Sequence, residues 1–408
     1  MTDKENTYVG IDMSGSQTRC LVAASEGSVL RYVSCGSMPP ACWNADDQRE
    51  QQLTQESVLE AVCEAENEGG LTVLSAVVGV GGAQVHSYLV HSSVAVPRGR
   101  QTVQAADVAK VVRKAANGAT SPGSTVLQVV PMEFVAGARA GLSNPVGYPA
   151  HRLEAYVRVI FTPQAEHDHA NWLVNQASVR VDETLVPGFA SAYGTLVEAE
   201  RARGVAHLDI GKTSSSLTAY RGGLLRLASG LPIGRDHLMN DVSRAFGTDP
   251  RVATSLISDF GSAVYRDEFS RVYVFVPSEG PSRRTSQGRV WARDMLDKII
   301  ALRIEECMTL ALDELRHEGL ADGAVRSLVV TGDIADLPGV REMAQTVLGL
   351  RTRIGTPSRP EGLPEALRSP GWACAAGLVL YAHRLARRSE QVFENQYHAA
   401  MREEEQAA

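Results

Sequence analysis

From Tyr8 the chain alternates short apolar blocks with tight polar turns, so that YVGIDMSGSQTRCLVAASEGSVLRYVS reads as three strands joined by two turns. The same pattern returns at VAHLDIGKTSSSLTAYRGGLLRLASG, with a Gly turn at Gly222 and Gly223. In both copies the first strand ends on an acid, Asp12 and Asp209. A repeated three-stranded meander predicts a two-lobed α/β protein built from duplicated halves, each a sheet with helices following it.

Between the copies, Val58, Leu59 and Val62 fall near helical spacing within Glu56–Glu68, and LTVLSAVVGVGG reads as a buried strand and turn. From about Gly82 to Thr162 the character changes. Strands at VHSYLVHSSV, STVLQVVPMEFV and RLEAYVRVIFT, with a helix over Ala105–Ala116, predict a compact αβ insert. His169–Gln176 and Gly188–Arg201 read as helices that return the chain to the first lobe. After Gly234, DHLMNDVSRAFG opens a helix; a strand is expected near Val272–Val276, and PSEGPSRRTSQGR is a loop by composition. A long helix is expected from about Val290 to His317. VRSLVVTGDIADLPGV then reads as a buried strand and Gly turn, followed by two more helices and a polar, acidic tail beyond Arg388.

With 44% apolar and 21% charged residues, 408 residues suffice for one large or two medium cores. A net charge of -7 without any basic cluster argues against DNA or RNA as a partner. Six scattered cysteines without a CxxC pair point to reduced, packing thiols of a cytosolic protein. The polar N-terminus runs straight into the first strand, so no signal peptide is expected. The apolar stretch Trp372–Ala382 falls short of the roughly 20 residues that span a membrane and reads as a buried helix.

Other chemistries find little support. GKTS at Gly211 lacks the earlier glycine of a P-loop, Ala206 standing there, and a strand follows it where that motif needs a helix. His167, Asp168 and His169 are adjacent and so diverge; they read as solvated loop residues, not metal ligands. No nucleophile sits in a GxSxG setting.

At this point the chain resembles the FtsA family, a branch of the actin, Hsp70 and sugar-kinase superfamily. The most specific segments are LQVVPMEFVAGARAGLSNPVGYPAHRLEAYVRVI (Leu127–Ile160), similar to that family's inserted 1C subdomain, then LPIGRDHLMNDVS, and LPGV with SPGWACAAGLVLY. The resemblance implies an α/β, actin-like two-lobed ATPase fold of duplicated RNase H-like halves with an inserted 1C subdomain. It divides the chain into subdomain 1A at 1–82 and 164–203 with a terminal helix at 370–388, 1C at 83–163, 2A at 204–241 and 322–369, 2B at 242–321, and an acidic tail at 389–408.

The superfamily holds ATP and magnesium between two Gly-rich hairpins, whose backbone N–H groups meet the phosphates while a carboxylate at each strand end manages the metal and its water. The resemblance assigns that role here to Asp12, Ser14, Gly15 and Ser16, to Asp209, Gly211, Lys212 and Thr213, and to Gly234 and Gly332. The family pattern is Asp, apolar, Gly, Thr, Ser, Lys in the first hairpin, against Asp12 to Gln17 here. In the second, two glycines and the final carboxylate are replaced in Asp209 to Ser216. The adenosine-region glycines become Gly332, Asp333, Ile334, putting a charge where the base should lie, and the acid and lysine of the overlying helix become Thr254 and Ile257. These departures imply weakened or lost nucleotide binding and at most a vestigial ATPase. Lys212 has two open roles: counter-ion between Asp12 and Asp209, or contact to bound phosphates.

The resemblance further implies a cell-division scaffold at the inner face of the cell membrane, self-associating into filaments or dimers. Its partners would be the C-terminal peptide of FtsZ, received at Arg303 and Glu306, and later division proteins; the plain alternative for that run with Glu305 is a solvated charged face. The family's amphipathic, basic membrane helix is replaced by a tail with five Glu and one Arg in its last twenty residues, which an anionic surface repels. Leu385, Val392, Phe393 and Tyr397 beside Arg384, Arg387 and Arg388 offer a modest apolar stripe, so direct membrane contact and association through partners are both open. A PilM-type pilus-assembly scaffold shares the lobes and insert. A sugar or acetate kinase would need phosphate glycines and a catalytic acid that are missing.

Overall fold

The computed structural model describes residues 7–27, 29–39, 48–97, 99, 102–119, 122–264, 272–277 and 288–387. The first meander is β1 (Thr7–Asp12), β2 (Thr18–Glu26) and β3 (Val29–Met38), followed by α1 (Gln48–Gly69) and β4 (Ser75–Gly79). After the insert come α3 (Gln164–Gln176), β9 (Arg180–Leu185), α4 (Pro187–Thr195) and α5 (Glu198–Arg203). The second meander is β10 (Val205–Ile210), β11 (Ser215–Arg221) and β12 (Leu224–Leu231), completed much later in the chain by β15 (Ser327–Gly332) and β16 (Arg351–Ile354).

The two five-stranded sheets have the same order, β3-β2-β1-β4-β9 and β12-β11-β10-β15-β16. In each, the meander is antiparallel and the two later strands add in parallel. The duplication read from the meanders therefore extends to whole halves. Register makes the equivalence explicit, because Asp12 pairs with Arg19 across the first hairpin and Asp209 with Ser216 across the second. The central strands are buried on both faces, which is why VAHLDI shows no alternation.

Helices cover both sheets. In α1, Val58, Ala61, Val62 and Ala65 recur at helical spacing and pack with Ile11, Val22 and Val78. In the second half α6 (Arg235–Phe246), α7 (Pro250–Phe260) and α8 (Arg293–His317) join the core of Leu208, Leu217 and Leu328. Each fully buried Leu or Ile in these layers stabilises by about 1.5–3 kcal/mol. The insert is a four-stranded antiparallel sheet of β5 (His86–Ala95), β8 (Arg152–Pro163), β6 (Ser124–Ala136) and β7 (Arg139–Leu142), in that order, backed by α2 (Ala105–Gly118) through Val111, Phe134, Leu153 and Phe161. Its edge strand β5 meets β12 of the second half. Gly230 N donates to Val85 O at 2.7 Å, and Ala228 N to Ser87 Oγ at 3.1 Å.

Several expectations shift. Residues 290–292 belong to a strand, β14 (Gly288–Ala292), which pairs with β13 (Tyr273–Pro277), so the long helix starts at Arg293. The helix expected over Gly188–Arg201 breaks at Leu196 and Val197, both extended; there Glu200 caps Val197 N while Arg353 holds its carboxylate. His167, Asp168 and His169 lie within α3, not in a loop, and His169 is partly buried against Trp172. The described cysteines Cys20, Cys35, Cys63, Cys307 and Cys374 are free thiols, and Cys63 is exposed. The tail after residue 387, the 278–287 loop and Cys42 lie outside the described residues. Among the described residues no helix is long and apolar enough to cross a membrane.

After α9 (Val340–Leu348) the chain closes with a helix over residues 373–387, α10. It crosses α4 with backbones in contact. A Cβ on Gly377 would stand 1.7 Å from Ala190 O, and one on Gly194 would stand 2.8 Å from Ala373 O. Helix propensity favours Gly377→Ala by about 1 kcal/mol. Steric overlap with a backbone carbonyl costs about 1–3 kcal/mol or more and should win. Urea denaturation is expected to show a lower midpoint for Gly377→Ala, and a raised midpoint would refute this crossing geometry.

Candidate functional site in the cleft between the halves

The ends of β1 and β10 bring Asp12 and Asp209 to the floor of the cleft, 1% and 5% exposed. Burial pushes the Asp12 carboxyl up, against the pull of Arg19 and of two hydrogen bonds from Ser14. Burial also pushes Asp209 up to about 7, opposed by the hydrogen bond from Thr331 Oγ1 at 2.5 Å and reinforced by Asp12. Cys374 lies against the same pair: burial and both carboxylates drive its thiol well above the ordinary range.

The first hairpin spans Ser14, Gly15 and Ser16, and two of its N–H groups are already engaged, Ser14 N by Asp12 Oδ1 at 2.9 Å. Ser16 N donates to Asp333 Oδ2, while Arg19 Nη2 lies 2.7 Å from Asp333 Oδ1. Arg19 sits on the first half and Asp333 just after β15 of the second, so this ion pair spans the cleft. Both side chains are buried, at 7% and 5% exposure. Burial works against the Arg19 charge, and Asp333 with Asp12 outweighs it, raising the guanidinium further. Trp372 covers the guanidinium with its ring centroid 5.7 Å away.

The second hairpin presses on the first. Lys212 N donates to Ser14 O at 2.9 Å, Gly211 N to Ser214 O at 3.0 Å, and Lys212 Nζ stands 3.1 Å from Asp236 Oδ2. Gly234 is the N-cap of α6, whose Arg235 and Asp236 N–H groups donate to Gly211 O and Lys212 O. Gly332 adopts φ +97°, open to glycine at little cost, with its backbone against Ile210. Thr213, Met13 and Ser14 line the space left between the hairpins, about 10 Å3, room for one water. As arranged, the residues do not fit a triphosphate, because a carboxylate takes the N–H and guanidinium that would meet phosphate.

The cleft thus gathers all ten residues assigned to nucleotide, but two details differ from expectation. The cation paired across the cleft beside Asp12 is Arg19, while Lys212 forms its ion pair with Asp236. The Asp333 charge points to the first hairpin, not to a base site. Sequence reasoning passed over Arg19 entirely. Its signal was a lone Arg opening a strand that is otherwise apolar and small, TRCLVAA. Ile257 and Ala253 of α7 are core residues, so that helix presents no lysine toward the cleft.

Arg303 and Glu306 lie apart, on α8. Arg303 Nε contacts Asp241 Oδ2 of α6 and its Nη1 contacts Glu306 Oε2, both at 2.6 Å. On the adjoining face, Lys298, Leu302 and Glu305 of α8 face Val264, Glu342 and Met343 across a groove of about 360 Å3. Leu302 is 57% exposed there. Among the described residues no cluster has the composition of a metal site.

Two family profiles match. The one described as cell division protein FtsA matches residues 206–377, and the one described as the SHS2 domain inserted in FtsA matches residues 82–161. Cell division protein FtsA of Pseudomonas aeruginosa is 28% identical over 91% of this chain and 88% of that protein, and that of Bacillus subtilis is 26% identical over 93% and 84%. The PilM–PilN type IV pilus biogenesis complex aligns with TM-score 0.65 at 16% identity over 92% of this chain and 98% of that one. MreB5 of Spiroplasma citri bound to ADP aligns with TM-score 0.51 at 10% identity over 95% and 99%. These structural likenesses show an actin-like fold. With that fold, the insert at residues 82–161 and relatives matched over nearly its whole length, the chain belongs to the FtsA family of cell-division proteins.

Proposed function

We propose that this chain is a division-site scaffold that helps assemble or tether the FtsZ ring and recruits later division proteins, with its cleft closed by its own side chains and not by ATP. The observation that carries the reading is the Arg19–Asp333 pair, which fills the phosphate position while the lobes and insert are retained. A scaffold needs the lobes held in one relation. Here a buried ion pair supplies what nucleotide supplies elsewhere in the superfamily.

On this reading the 1C insert spans about 83–163, subdomain 2B about 242–321, and filaments or dimers form through the lobes at the inner face of the cell membrane. The α8 surface receives the FtsZ C-terminal peptide. Arg303 and Glu306 form its charged rim, and Leu302 in the neighbouring groove offers an apolar anchor. A residual ATPase keeps one argument, since Asp12 and Asp209 retain the paired acids and the MreB5 likeness is to an ADP-bound protein. It would require displacing Asp333 and parting the hairpins. The PilM-type alternative rests on fold alone.

Three measurements test this. Titration calorimetry with ATP and magnesium should show no binding, whereas low-micromolar affinity would overturn the closed-cleft reading. Arg303→Glu should weaken binding of an FtsZ C-terminal peptide at least ~tenfold, equivalent to ~1.4 kcal/mol, with circular dichroism unchanged. Equal affinity would remove α8 from the docking surface. Arg19→Ala leaves Asp12 and Asp333 without their shared cation and should cost about 3–5 kcal/mol in urea unfolding. Asp333→Ala leaves Arg19 beside Asp12 and should cost less, and additivity in the double mutant would show that the two residues do not couple.

A further inference from the structure

A second site lies away from the cleft, where α4 and α5, the loop after β16 and α10 converge on a cavity of about 800 Å3. Arg201, Arg359, Arg384 and Arg387 line it against a single lining carboxylate, Glu198. Tyr193 stands among them, with the Arg201 and Arg384 guanidinia 5.3 and 5.7 Å from its ring centroid. Arg201 donates to Ala192 O at 2.9 Å, yet its buried Nε has no hydrogen-bond partner. Neighbouring Arg353, by contrast, is neutralised by Glu200 at 2.7 Å. A concave surface with this surplus of guanidinium groups concentrates anions, and carboxylates match the Arg fork.

The chain carries its own complement. Residues 389–408 hold five Glu, one Arg and no Lys or Asp, a net charge of -4 with His neutral. They begin one residue beyond α10, whose Arg384 and Arg387 line the cavity. Twenty residues reach at most about 65–70 Å when extended, so every lining Arg is in range. A tether this short holds the acidic groups near ~millimolar effective concentration, where even weak pairing is occupied. We propose that the acidic segment 389–408 is the cavity's occupant in the same molecule, its glutamates engaging Arg201, Arg359 and Arg384. The loop bearing Arg359 follows β16 of the second half, while α10 packs on the first, so the segment bridges the two.

The test uses the full chain with p-benzoylphenylalanine in place of Tyr397, photolysed and mapped by mass spectrometry. Crosslinks within one chain to peptides covering 193–201, 358–359 or 380–387 are expected. Their yield should fall roughly fivefold at 0.5 M salt, where the screening length shrinks to a few ångströms. The double variant Arg359→Glu, Arg384→Glu should lose them comparably, and adding Glu403→Lys, Glu404→Lys and Glu405→Lys should restore them; the tail triple variant alone keeps the test decisive should the first fail to fold. Crosslinks between two copies, crosslinks confined to other surfaces, or a yield indifferent to these charges would each overturn the proposal.

Discussion

Two carboxylates buried at the ends of equivalent strands cannot both carry charge in a closed cleft without a cation, and the structure turns on how Asp12 and Asp209 are accommodated. The duplicated topology gives them equivalent places, because β1 and β10 are the central strands of their five-stranded sheets. Where the superfamily answers with a metal and phosphate, this chain places the Arg19 guanidinium beside Asp12 and ties it to Asp333 of the other half. The hairpins consequently touch, Lys212 N on Ser14 O. Closure, burial and charge balance thus meet in one arrangement of side chains.

Much of the fold was legible because it repeats. Two meanders ending in Asp, each with Gly or Ser turns, specify two halves, and the change of character near Gly82 marks the insert. What escaped was short or context-bound. Strand β9 joins its sheet through parallel pairing with a partner about a hundred positions earlier, and β16 is a four-residue edge strand, so their own residues carry little signal. Strand β14 was merged into α8 since WARDMLDKII continues the apolar periodicity into VWA without a break. In the cleft the assigned positions lie near one another, but the contact that ties the halves pairs residues 314 positions apart, and nothing local to Arg19 or Asp333 names the other.

The α8 surface illustrates the same limit. Arg303 and Glu306 read as a charged run, and three-residue spacing brings them together on the helix. The tie to Asp241 is not local, and it makes Arg303 a brace between α6 and α8. Pairs near the surface contribute little to stability, so this tie fixes the orientation of Arg303 more than it holds the fold.

The insert is not a passenger on the first half. Its edge strand and the residue before it are stitched to β12 by the bonds from Ala228 N to Ser87 Oγ and from Gly230 N to Val85 O, and Arg158 reaches Glu318 at 3.5 Å. Rotation of one half away from the other must either shear that seam or tilt the insert with it. Cleft aperture and insert attitude thereby become a single mechanical coordinate, through which whatever grips the outside of the insert can feel, and pull upon, the interior.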